Sequence, residues 1–285
     1  MNFSGYLQQK KYSAATVDRY TIYIRGFLRW LEEESSSQET FTYNDVLDFM
    51  RHCHQNGKTK RTIHNILCIV RHYCNYLIQE GKRNDNPAAG VFIKGLVRKL
   101  PTNLLCIEEM EELFKQYSIQ LNVDSGKKIM LGLLVYQGLR VGEIMRLQCH
   151  HIKLKDGKIF IKAVKRTNER LLDLKAVQIK ELQNYLTQNK FKEGSLFIEP
   201  GKREVSKRNI NNRIKYMFDQ LKRLNPKVIN AKQIRNSVIT HWLRQNNLRQ
   251  VQYLSGHKYV SSTQRYQVNN LDDLQSELQQ HHPMS

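Results

Sequence analysis

Apolar residues recur at intervals of three and four through the first third of the chain. Val17, Tyr20, Ile24, Phe27, Leu28 and Leu31 follow that spacing behind Ser13, which predicts a helix with one buried face and Ser13 as its N-cap. The polar run Glu32 to Gln38 ends it. A second amphipathic stretch covers about Tyr43 to Cys53 and stops near Gly57. A third, capped at about Thr59, sets Ile63, Ile66, Leu67, Val70, Tyr73 and Leu77 on one side before Gly81. Three or four such helices make a bundle. Asn84-Asp-Asn-Pro-Ala-Ala-Gly then breaks the rhythm, and the basic segment Lys94 to Lys99 runs into Pro101. The pattern therefore divides the chain into a helical domain over 1–90, a linker over 91–102 and a second domain over 103–285.

In the second domain, helical spacing covers Ile107 to Tyr117 and Lys127 to Gln137, and Gly138-Leu-Arg-Val-Gly-Glu bends the chain into another short helix. The period then changes to two. His151 to Lys155, Lys158 to Val164 and Arg170 to Leu174 alternate between apolar and polar, with Asp156-Gly157 as a turn, and these predict three short antiparallel strands. Helices resume at about Ala176. Behind Ser206, Ile210, Ile214, Met217 and Leu221 face one way, while Lys207, Arg208, Arg213 and Lys215 spread over the rest of that helix. A basic amphipathic helix of this kind fits a nucleic-acid groove, and equally a solvated charged face. The fold class is mainly α, with one small three-stranded antiparallel sheet.

Composition narrows the partners. Of 285 residues, 40% are hydrophobic and 25% charged, a globular balance. No apolar run approaches the roughly 18 residues that span a bilayer, so no membrane association is expected. Met1-Asn-Phe-Ser-Gly-Tyr lacks the basic-then-apolar order of a secretory leader, and a cytoplasmic location is expected. The five cysteines are odd in number and form no CxxC pair. Cys68, His72 and Cys74 fan around a helix instead of converging, so neither a disulfide framework nor a bound metal is expected. Lysine and arginine number 46 against 26 acidic residues, a formal net charge of +20. Such a field draws in polyanions, and double-stranded DNA is the leading partner.

The polar residues that bear on chemistry come in a particular order. Arg140 lies in a glycine-bounded bend, Gly138-Leu-Arg-Val-Gly-Glu143, where Glu143 can brace a guanidinium. Lys165 follows in the turn between the second and third strands. Lys232-Gln-Ile-Arg235, Gly256-His257 and Ser262-Thr-Gln-Arg-Tyr266 complete the set. In this order the chain resembles the tyrosine recombinases, the phage integrases and Xer-type resolvases. Residues 13–33 look like part of that family's SAM-like core-binding domain and 102–285 like its catalytic domain. Arg140 matches the first arginine of G-L-R-x-x-E, Arg235 that of H-x-L-R, and His257 with Tyr266 the G-H-x8-Y ending. Lys165 matches the strand-turn lysine. The sequence departs from the pattern in three places: the usual glycines beside Lys165 are missing, which keeps Lys162 and Arg166 open as substitutes; Lys232 stands where histidine is commoner; and Asn236 replaces a frequent histidine or arginine.

The resemblance implies that Tyr266 is the nucleophile in a reaction that cuts and rejoins DNA through a covalent phosphotyrosine. Two planar guanidiniums, Arg140 and Arg235, engage the non-bridging oxygens of a phosphorane-like transition state. Each such donor is worth about 3 kcal/mol, roughly a hundredfold in rate. Lys165 protonates the departing 5′ oxygen, while His257 and Lys232 position the phosphate and Lys232 assists proton transfer. No cofactor is needed. The resemblance further implies an inverted-repeat core site, a homotetramer on DNA coupled through the C-terminal segment bearing Leu271, Leu274 and Leu278, and possible accessory proteins. A non-catalytic DNA-binding protein and a type IB topoisomerase-like enzyme are the alternatives.

Overall fold

The computed structural model describes residues 2–96, 102–119, 124–164, 167–188, 194–197 and 207–267. The chain forms two compact units, divided between Arg98 and Lys99.

Among its described residues the first unit holds four helices: α1 (Phe3–Gln9), α2 (Ala14–Glu33), α3 (Tyr43–Gln55) and α4 (Lys60–Gln79). The last three follow the apolar spacing described above. Ser13 occupies the N-cap of α2, but its hydroxyl pairs with that of Thr16 instead of a backbone amide. Thr42 and Asp45 form a reciprocal capping box on α3, and Thr59 accepts from the Thr62 amide at the start of α4. The short α1 is not evident from periodicity. It presents a single turn of apolar residues, Phe3, Tyr6 and Leu7, and these are buried against Tyr73 and Tyr76 of α4. Tertiary packing stabilises a helix too short to persist alone. Phe27, Trp30, Phe41 and Phe49 form the aromatic centre of the core. Val91 is buried in the same core and Ile93 packs on it, so the first part of segment 91–102 belongs with the bundle.

The second unit is built around α6 (Ser125–Val135). Every residue from Ile129 to Val135 is buried, as expected of a helix apolar on all sides. It contacts α5 (Ile107–Ile119), α8 (Ala176–Gln188), α9 (Lys207–Leu224) and α10 (Ala231–Gln245). The sheet has the order β1-β2-β3, all antiparallel: β1 (Ile152–Lys153), β2 (Lys158–Ile161) and β3 (Arg170–Asp173). Ile159 pairs with Ile152 on one side and Leu172 on the other, which fixes the register that buries Ile159, Ile161 and Leu172. The strand β1 is shorter than its alternation suggests, because Leu154–Asp156 turn into a 3-10 segment that ends at left-handed Gly157.

Three further pieces of the unit lie among the described residues. The single-turn α7 (Val141–Ile144) follows the Gly138 bend, α11 (Leu248–Ser255) follows α10, and residues 261–267 are helical. At Gly138 the backbone has φ of +54°, and a Cβ there would stand 3.0 Å from Val238 of α10. Glycine thus permits both the bend and the close approach. No described helix is long and apolar enough to cross a membrane.

Candidate active site

Glu143 lies at the centre of a cluster of arginines. Its side chain is 1% exposed and receives two parallel hydrogen bonds of 3.0 Å from Arg170, whose side chain is fully buried. The same carboxylate accepts from the Arg140 amide at 2.9 Å and so caps the first turn of α7 from its third residue. It also stands 3.5 Å from Arg140 Nη1 and 3.8 Å from Arg235 Nη1. Burial raises the Glu143 carboxyl pKa, but the Arg170 hydrogen bonds and charge, the Arg140 amide and Arg235 outweigh it and hold the group below its usual range.

Arg140 and Arg235 are held differently. Arg235, on α10, donates to the carbonyls of Gly138 and Ser255 and is 6% exposed. Burial and the nearby Arg140 charge push its pKa down to about 9, which leaves it charged at neutral pH. Arg140 is more open, with a side chain 37% exposed, yet its Nη1 is buried without a hydrogen-bond acceptor among the described residues. A guanidinium carries only donors, so a group that meets Glu143 only at ion-pair distance and lies beside a second guanidinium suits an anionic oxygen.

His257 follows Gly256, which ends α11 in the left-handed region with φ of +63°. Its ring is 3% exposed. Nε2 faces Arg235 Nη2 at 3.4 Å and Nδ1 lies 2.9 Å from the Thr263 hydroxyl. Because arginine can only donate, Nε2 is the acceptor and Nδ1 carries the proton. Burial, then the charges of Arg235, Arg140, Arg265 and Arg170, depress the imidazole pKa to about 3, so the ring is neutral. It lies nearly parallel to the Tyr266 ring, with centroids 6.1 Å apart.

Tyr266 packs against Ile239 and Val251 and is 2% exposed. Its hydroxyl donates to Asn236 Oδ1 at 3.0 Å and accepts from Arg265 Nη2 at 3.1 Å. The phenol thus belongs to the same subunit's cluster as Arg235 and His257.

Of the residues singled out from sequence, the structure therefore gathers Arg140, Glu143, Arg235, His257 and Tyr266. Lys232 occupies the first turn of α10, one turn before Arg235, and is exposed. Lys165 and Arg166 lie outside the described residues. The residues flanking them are anchored: Thr167 bridges Val164 and also His257, and the Asn168 amide donates to the Gly256 carbonyl at 3.2 Å. Lys162 is exposed at the end of β2, in a pocket with His150, His151 and Ser195. On α9, Arg208 and Lys215 are exposed, whereas Arg213 is engaged by Asp124 at 2.5 Å. The Lys207 side chain and the segment with Leu271, Leu274 and Leu278 lie outside the described residues.

This geometry agrees with comparisons to known proteins. Residues 104–272 match the phage integrase family, and residues 2–81 match the phage integrase N-terminal SAM-like domain. The chain belongs to the phage integrase family. Among its integrase-family relatives, the tyrosine recombinase XerC of Bacillus licheniformis is 29% identical, over 99% of this chain and 95% of that protein. The XerH site-specific recombinase bound to its difH substrate has a TM-score of 0.71 at 18% identity, covering 93% of this chain and 81% of that one. A lambda integrase tetramer bound to a Holliday junction gives 0.70 at 16%, covering 93% and 74%.

Sequence reasoning missed Arg170, Thr263 and Arg265 in this integrase-family site. For Arg170 a signal was present. It shares the inward face of β3 with Leu172, with the outward Leu171 between them, and a charge on a buried strand face requires a partner. Thr263 and Arg265 had no comparable signal, because their roles depend on how residues 261–267 fold back toward His257.

Proposed function

We propose that this integrase-family protein is a site-specific DNA recombinase in which Tyr266 attacks the scissile phosphate and forms a 3′-phosphotyrosine. The observation that supports it is the gathering, within one subunit, of Arg140, Arg235, His257 and Tyr266 around buried Glu143. Arg140 and Arg235 bind the non-bridging oxygens and stabilise their added charge in the transition state. His257, neutral and oriented by Thr263, keeps Arg235 in register. As the Oη–P bond forms, the P–O5′ bond breaks; the phenol proton passes to water, with Lys232 assisting, and Lys165 protonates the 5′ oxygen. The ester retains the energy of the broken bond, so another strand's 5′ hydroxyl reverses the step without ATP.

In this reading, residues 1–90 with the packed start of segment 91–102 form the core-binding domain, the rest of that segment the linker and 103–285 the catalytic domain. The substrate is duplex DNA with inverted-repeat arms, contacted in part by Lys207, Arg208 and Lys215. Four copies assemble on it, coupled through the C-terminal segment, and exchange strands through a Holliday junction. Integration, excision, inversion and resolution all use this chemistry, accessory proteins select among them, and a cytoplasmic location on a mobile element's DNA fits the reading.

The test uses a pool of nicked duplexes whose inverted-repeat arms are randomised, so that the cut fragment diffuses away. Wild type traps a covalent adduct from which a site is read. Tyr266→Phe binds the selected duplex with similar affinity and traps none. Wild-type binding without any adduct would mean a DNA-binding protein that does not cut.

A further inference from the structure

Arg265 precedes the nucleophile in sequence and touches it in space. Its Nη2 donates to the Tyr266 hydroxyl at 3.1 Å, and its Cζ stands 5.0 Å from the ring centroid. The hydroxyl's own hydrogen is directed at Asn236 Oδ1, 3.0 Å away. The arginine N–H therefore occupies one lone pair of the oxygen, and the pair freed when the O–H proton leaves is the one that attacks. Arg265 is otherwise exposed, and its charge is felt at both Arg140 and His257. A cation kept only to stack on an aromatic face gains nothing from reaching the phenol oxygen. This one does reach it, from the solvent-facing side of the cluster.

Resting on the phosphotyrosine chemistry proposed above, we infer that Arg265 is a further catalytic residue, whose guanidinium donates to the phenolic oxygen as that oxygen joins and leaves phosphorus. During cleavage the Oη lone pair forms the bond to phosphorus, and the P–O5′ pair departs with the 5′ oxygen. During rejoining a 5′ hydroxyl attacks, the P–Oη bond breaks and its electron pair returns to Oη, which recovers a proton from water. Lys165 regains the proton that the 5′ hydroxyl gives up. Arg265 transfers no proton in either direction. It stabilises the partial negative charge that Oη carries in the shared transition state, so both directions depend on it. Asn236 complements it by fixing which way the hydroxyl points.

The experiment uses the duplex selected with wild-type protein. At saturating duplex, single-turnover adduct formation is timed, and rejoining is timed after adding a 5′-hydroxyl strand to the preformed adduct. Arg265→Ala and Arg265→Met slow both steps by about ten- to a hundredfold, the range for a charge-assisted hydrogen bond, while half-saturation by DNA shifts only severalfold. Arg265→Lys, which keeps a charged donor, recovers most of the rate. Methionine preserves bulk over the ring, so a Met variant with wild-type rates would reduce Arg265 to packing and overturn the inference. An Ala variant that cleaves faster would also overturn it, by making Arg265 a restraint on the tyrosine. If wild type forms no adduct, the underlying chemistry fails and this inference with it; an adduct with unchanged Arg265 variants sinks this inference alone.

Discussion

His257 is neutral because it is buried among the charges of Arg235, Arg140, Arg265 and Arg170, and this couples folding to acidity. The imidazole titrates near 6.5 when unfolded and at about 3 when folded. Between those values the unfolded chain binds the extra proton, so stability falls as pH falls through the window. Denaturant unfolding from pH 6.5 to 5 should show wild type losing stability faster than His257→Gln, the difference in slope approaching about 1.4 kcal/mol per pH unit at the acid end; equal slopes would refute neutral burial. The carboxylate of Glu143 does not interfere there, because its pKa lies below the usual range and its contribution is lost only at lower pH. The Glu143–Arg170 pair makes a second prediction. Arg170→Met leaves a buried carboxylate short of its bidentate partner and should cost about 3–5 kcal/mol on denaturant unfolding, while a loss under about 1 kcal/mol would mean that Arg140 and Arg235 compensate. At this scale the residues that gather around Glu143 were legible in their order along the chain. The residues that orient them were mostly not, since sequence does not say which arginine a given carboxylate meets.

Turns decide how those residues meet. Gly256 ends α11 with φ of +63° and presses against Arg170; an added Cβ would lie 2.9 Å from Arg170 Cζ and 3.1 Å from the Asn168 carbonyl. Gly256→Ala is therefore expected to destabilise the fold by about 1–3 kcal/mol and to slow adduct formation more than Gly157→Ala. Gly157 has a similar φ of +62°, but a Cβ added there would meet only Ile179 Cδ1, at 3.5 Å. Equal effects on adduct formation would show that only backbone strain matters. Helices α2 to α6 and the three strands were readable from period and turn residues, because each buries one regular face or is apolar throughout. By contrast α1 was not readable, since its seven residues gain their order from α4. The bridge from Thr167 to His257 was equally hidden, as pairing between residues ninety positions apart leaves no periodic trace.

Over the whole molecule the charge of +20 predicts binding to a random-sequence duplex with a steep salt dependence, the logarithm of affinity falling by about 0.9 per neutralised phosphate per tenfold salt. Fluorescence anisotropy across a salt series should give a shallower slope for Arg208→Ala with Lys215→Ala, both exposed on α9. Arg213→Ala should leave the slope unchanged and lower stability instead, because Asp124 already holds that guanidinium; a slope that fell with Arg213 would reverse the assignment. Net charge was legible at once, whereas which charges are already matched by a carboxylate emerges only on folding. The commitment of Glu143 to Arg170 has one last consequence. Four guanidiniums (Arg140, Arg170, Arg235 and Arg265), one carboxylate and an uncharged imidazole leave the site with three positive charges in surplus. A resting phosphodiester brings only one negative charge, so the site is over-supplied for the ground state and better balanced at the barrier top. Vanadate with a short 3′-hydroxyl strand, which together mimic five-coordinate phosphorus, should therefore be held more tightly than the intact linkage they replace.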